Sequence, residues 1–152
     1  MKYLIIIVSL FVFIACTESP KPARNDGFTK VLVTKEDSLL QEVMDGHDVG
    51  MARMLKLSKY QKKVADAIDS IGKLPSAKRD KNYLNTLAEL KEQLSYAENS
   101  MNMWMEGFKM DSLKDQPSLR LTYLEQQKAS VVKVKEAILS SLERTDSLFN
   151  KK

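Results

Sequence analysis

Between Lys81 and Phe108 the chain reads KNYLNTLAELKEQLSYAENSMNMWMEGF, and in it Leu87, Leu90, Leu94, Ala97, Met101, Trp104 and Phe108 follow strict 3-4-3-4-3-4 steps. That spacing is the seam of a packed helix. From Thr34 onward no window alternates with period two, so the class is all-α. Upstream, Thr34 is a candidate N-cap, with Glu36 and Asp37 in the first turn where carboxylates favour free N–H groups. The apolar stripe behind it runs Leu40, Met44, His47, Met51 and Met54, then Leu57, Val64, Ile68 and Ile71, before Gly72 and Pro75 stop it. Downstream, Pro117 suits a first helical turn, and Leu121, Leu124, Val131, Val134, Ile138, Leu142, Thr145 and Phe149 form a third stripe. The spacing predicts helices over 35–71, 79–108 and 118–149, with Ser76 or Asp80 capping the second. Short connections between them imply an antiparallel up-down-up three-helix bundle.

The bundle occupies residues 34–152 of a 152-residue chain, so the length allows one domain at most. Ahead of it stands a different kind of segment. Met1-Lys2-Tyr3 precedes an apolar run from Leu4 to Ile14, shorter than the roughly 17–25 residues a helix needs to cross a bilayer. Residues 1–15 therefore read as a signal peptide. Phe13-Ile14-Ala15-Cys16 resembles the bacterial lipobox, and Cys16 is the only cysteine of the chain. An exported protein with a single thiol has no internal disulfide partner, and acylation accounts for the count. Cys16 is thus the expected lipidated N-terminus, and residues 16–33, with two Pro and a Gly, form a tether. Such a tether reaches on the order of 20 Å. Thr17 after the cysteine suits sorting to the outer membrane, so the expected location is the bacterial cell envelope.

A hairpin between the first two helices near Pro75 and Ser76 brings Met44 level with Phe108, His47 with Trp104 and Met51 with Met101. Met54, Met103 and Met105 share that slab, as do Tyr123, Leu124 and Glu125 of the third helix. Met44, His47 and Met51 are spaced 3 and 4 apart along one helix face, and Met101 and Met105 are again 4 apart. Thioether and imidazole favour Cu(I) over harder ions, and methionine tolerates an exported compartment where a thiol oxidises. The candidate metal ligands are therefore Met44, His47, Met51, Met101 and Met105, with Trp104 as a cation-π neighbour. The alternative is that these methionines only fill an irregular core and that His47 is a surface or hydrogen-bonded residue. Gly46 and Gly50 either loosen a turn so that His47 reaches a ligand, or permit close helix approach or a simple kink.

Glu42-Val43-Met44, His47-Asp48, Met51, Met54, the later Met101…Trp104-Met105…Phe108 and Tyr123-Leu124-Glu125 together resemble small lipoproteins of Bacteroidota labelled as similar to a viral A-type inclusion protein. The resemblance covers most of the mature domain and implies nothing mechanistic. The chain differs from that pattern at Gly46 and Gly50, where bulkier apolar residues are usual, and at Ala52, where Pro is common.

Lys and Arg total 24 against 20 Asp and Glu, interleaved along the chain, so no basic patch marks a nucleic-acid binder. Asp45 and Asp48 flank His47 but do not converge with it on a helix, and no nucleophile elbow or phosphate loop is present. Haem held by His47 lacks a Cys-x-x-Cys-His attachment motif. The expected function is non-enzymatic: a lipid-anchored helical interaction module for another envelope protein, or alternatively a Cu(I)- or Ag(I)-binding protein using the Met/His slab.

Overall fold

Thr34 opens the first helix as the sequence implies. Its hydroxyl accepts from the Asp37 N–H at 3.0 Å, and the Asp37 carboxylate accepts from the Thr34 N–H at 3.1 Å. This reciprocal pair satisfies donors that a helix start leaves free. The computed structural model describes residues 33–150. The expected signal peptide 1–15, Cys16 and the tether up to residue 32 lie outside the described residues.

Three helices follow: α1 at Lys35–Gly72, α2 at Lys81–Gly107 and α3 at Pro117–Phe149. All three agree with the expected limits to within two residues. Asp80 rather than Ser76 caps α2, accepting from the Tyr83 N–H at 3.0 Å, while Ser76–Lys78 forms a single 3₁₀ turn. Arg79 folds back to close α1, donating to the carbonyls of Gly72 and Leu74, each at 2.8 Å. Contacts between helices establish the up-down-up order. His47 of α1 meets Trp104 of α2, Phe108 at the C-cap of α2 meets Tyr123 of α3, and Lys35 and Lys56 of α1 meet Glu125 and Asp146 of α3. Numbers rise together between α1 and α3 and oppose each other between either of these and α2, as an antiparallel hairpin pair requires.

The α2 seam is buried as its spacing predicts, from Leu87 through Trp104, and on α3 Leu124, Val131, Val134, Ile138, Leu142 and Thr145 are buried. Along α1 the expectation needs correcting. Its buried residues are Leu39, Val43, Gly46, Gly50, Leu57 and Val64. In the first half the stripe is therefore rotated one residue back from Leu40, Met44, His47 and Met51. The reason is that two seam positions carry glycine, which no count of apolar side chains registers. Both glycines permit close helix approach. A Cβ on Gly46 would meet Val131 Cγ1 at 2.8 Å, and one on Gly50 would meet Met101 Cε at 2.3 Å and Ile138 Cδ1 at 3.3 Å.

Farther along the α1/α3 contact, Asp146 takes a hydrogen bond from Lys56 Nζ at 2.6 Å and another from the Tyr60 hydroxyl. These bonds, Lys56 first and Tyr60 second, hold its carboxyl below the usual value. A depressed folded pKa makes a stabilising contribution that is full above the unfolded value of about 3.9 and is lost as pH falls through the folded value. Asp146→Asn is therefore expected to flatten the acid limb of the stability profile below about pH 4. Urea midpoints measured across that range for both proteins check it, and parallel acid limbs would refute the role of Asp146.

Candidate ligand site

The rotation of the α1 stripe leaves Met44 and His47 at the edge of the core instead of inside it. There they border a cavity of about 280 Å³, lined by Met44, His47, Trp104, Met105, Phe108 and Met110. Three of the five expected ligands, Met44, His47 and Met105, thus converge with Trp104. The other two do not. Met51 is 39% exposed and lies outside the lining, because the rotation carries it past the helix interface. Met101 is fully buried and packs against Gly50 and Ile138, so it is core filler. In their place the structure adds Met110, half exposed in the loop after α2. Sequence periodicity has no means of placing a loop residue, and the only signal for it was a methionine two residues beyond the seam residue Phe108.

That loop is held firmly. The Lys109 N–H donates to the Tyr123 hydroxyl at 2.7 Å, and Arg120 Nη1 donates to the Ser112 carbonyl at 2.8 Å. Arg120 is 1% exposed and its Nε reaches Glu36 Oε1 at 3.0 Å, which ties the loop to the first turn of α1. Leu113 next to it adopts a φ of 60°, a left-handed conformation uncommon outside glycine. Arg120 was not singled out by sequence, since an arginine beside an apolar stripe reads as surface.

One wall of the cavity is aromatic. His47 and Trp104 have ring centroids 5.7 Å apart, Trp104 stacks on Phe108 at 5.0 Å, and Phe108 on Tyr123 at 6.2 Å. The indole N–H of Trp104 is buried and has no hydrogen-bond partner among the described residues. Leaving such a donor unpaired costs about 1–3 kcal/mol. A phenylalanine would fill much of that volume without the cost.

Two other features stand apart from this cavity. A larger groove of about 570 Å³ lies between α1 and α3, floored by Leu39, Ala129 and Val132. Its rim is closed by the ion pairs Lys35–Glu125 and Lys128–Glu42, so its charged groups are already paired. At the α1–α2 turn every residue from 72 to 82 is exposed. This turn carries Lys73, Lys78, Arg79 and Lys81 against Asp80 alone, and Asp80 is engaged in capping α2. Lys73, Lys78 and Lys81 have no side-chain ion pair or hydrogen bond within the described residues. The opposite end of α1 holds Glu36, Asp37, Glu42, Asp45 and Asp48 with only Lys35. Charge that interleaves along the sequence is thus polarised along α1. At 1.5 Å per residue, the basic turn lies about 40 Å up α1 from His47.

Among the described residues no helix is long and apolar enough to cross a membrane. The chain matches no protein-family model, no curated protein and no solved structure.

Proposed function

We propose that this protein is a lipid-anchored, non-enzymatic component of the bacterial envelope, similar in kind to the small Bacteroidota lipoproteins, and that its helical domain is a tethered interaction module. The anchor is Cys16, and the outer membrane is the location that Thr17 favours. The observation that supports a binding role is the basic turn at residues 72–82. Its three unpaired lysines stand at the far end of α1 from the point where the tether joins the bundle. Charges placed this way are fully solvated and cost little, and they raise the encounter rate with an acidic partner surface. The partner is thus an envelope protein that presents carboxylates.

Two measurements test this reading. Cys16→Ser is expected to move the protein out of the membrane fraction; unchanged membrane attachment would overturn the anchor. A photocrosslinking residue at position 78 is expected to trap one discrete protein adduct, weakened several-fold by Lys73→Gln with Lys81→Gln and by raised salt, which screens exposed charge. The same residue at position 103, exposed on the side of α2, is expected to trap none. Equal adducts from both positions would overturn the role of the turn.

A further inference from the structure

Four groups around the small cavity carry soft lone pairs: the thioether sulfurs of Met44, Met105 and Met110, and the imidazole of His47. They come from three separate segments, which are α1, α2 and the loop after α2. Contrary to the expectation that adjacent helix positions do not converge, the Asp48 side chain turns to its neighbour and orients the His47 ring, with Asp48 Oδ1 2.8 Å from His47 Nδ1. A carboxylate can only accept, so in the neutral ring the proton sits on Nδ1 and the free lone pair is on Nε2. Imidazoles that bind metal are commonly held by this same carboxylate contact, which fixes ring and tautomer together.

We propose that Met44, His47, Met105 and Met110 form a binding site for a soft monovalent cation, Cu(I) or Ag(I), beside the indole of Trp104. Thioether and imidazole donors select these ions, whereas Mg²⁺, Ca²⁺ and Mn²⁺ require oxygen ligands. Among the described residues no group of three or more His, Cys, Asp or Glu is placed to hold a harder ion. Trp104 lines the same cavity, and indole faces attract cations. Met110 is half exposed at the rim, where an arriving ion meets it first, and the bonds at Lys109 and Ser112 on either side of it hold it in reach of the other three. The core itself separates donor from filler. Met101 serves packing alone and has no access to the cavity, while Met44 and Met105 are only partly buried at its wall. Neither the lipid anchor nor the basic turn takes part, so this site stands or falls apart from the interaction module.

The test is a titration of the full-length protein in detergent with Ag(I), and with Cu(I) under reductant against a chromogenic Cu(I) chelator. The expected result is saturable binding of a single equivalent, with a change in the emission of Trp104, the only tryptophan. Met44→Leu, Met105→Leu and His47→Gln are each expected to weaken binding about tenfold or more, and Asp48→Asn by about 10–100-fold. Met103→Leu and Met101→Leu are expected to bind as the parent does. Exchanging Met for Leu nearly preserves volume, so matched melting curves separate loss of the site from loss of the fold. Absence of saturable binding, full affinity in His47→Gln and Met44→Leu, or an equal loss in Met103→Leu would each overturn the proposal and leave the cavity methionines as filler.

Discussion

Met101→Ala is expected to lower the free energy of unfolding by about 2–5 kcal/mol, as large-to-small changes in a packed core do. The upper part of that range applies here because of what faces it. Met101 is fully buried, and its Cε occupies the place where Gly50 would carry a Cβ, at 2.3 Å. A glycine has no side chain with which to fill the void. Adding Gly50→Ala to Met101→Ala is therefore expected to recover part of the loss. The new methyl enters vacated space, and the helix gains about 1 kcal/mol from replacing an interior glycine. In the parent background the same Gly50→Ala must first displace the Met101 methyl, which only the flexibility of methionine makes tolerable. The benefit of Gly50→Ala is thus expected to be larger in the Met101→Ala background. Urea unfolding of the four proteins closes the cycle, and additive effects would refute the contact.

Glu36→Ala is expected to cost about 2–4 kcal/mol, somewhat below the loss typical of a broken buried ion pair because Glu36 remains partly solvated. Arg120 is 1% exposed, and Glu36 is its only ion-pair partner among the described residues. Without Glu36 the guanidinium keeps the Ser112 carbonyl but stays buried without its ion-pair partner. Arg120→Met is expected to cost less, about 1–2 kcal/mol, since an apolar side chain tolerates that site and Glu36 turns to water. The order of the two costs is what separates this clamp from a surface pair. Denaturant midpoints for the two variants check it. A loss in Glu36→Ala within the roughly 0.5 kcal/mol typical of surface changes would refute the clamp. The same variant also bears on the cavity, because Arg120 holds the loop that presents Met110.

Much of this architecture is legible in the amino-acid sequence. The number, order and limits of the helices follow from apolar spacing, from local stop signals such as Gly72 and Pro75, and from Pro117 as a start signal. Caps at Thr34 and Asp80 are likewise legible, because they are bonds between residues three apart in the chain. The level at which α1 and α2 face each other could be deduced from the hairpin, and His47 does meet Trp104. What the spacing misjudged was rotation. Gly46 and Gly50 belong to the seam, yet they contribute no apolar side chain to a periodicity, so the spacing sets the core at Met44, His47 and Met51, one position too late.

Local order, then, is a property of the amino-acid sequence itself: backbone preferences, capping bonds and 3-4 spacing act within a few residues and are written there directly. The rotation of α1 about its axis was decided only by tertiary structure, since it depends on how closely Val131, Met101 and Ile138 can approach a glycine backbone. From that rotation follow the separation of Met101 from Met44 and Met105 and the exposure of Met51. The burial of Arg120 depends likewise on its contact with Glu36, 84 residues away, and the presentation of Met110 on the bonds from Lys109 to Tyr123 and from Arg120 to Ser112; close packing of this kind has no local signature.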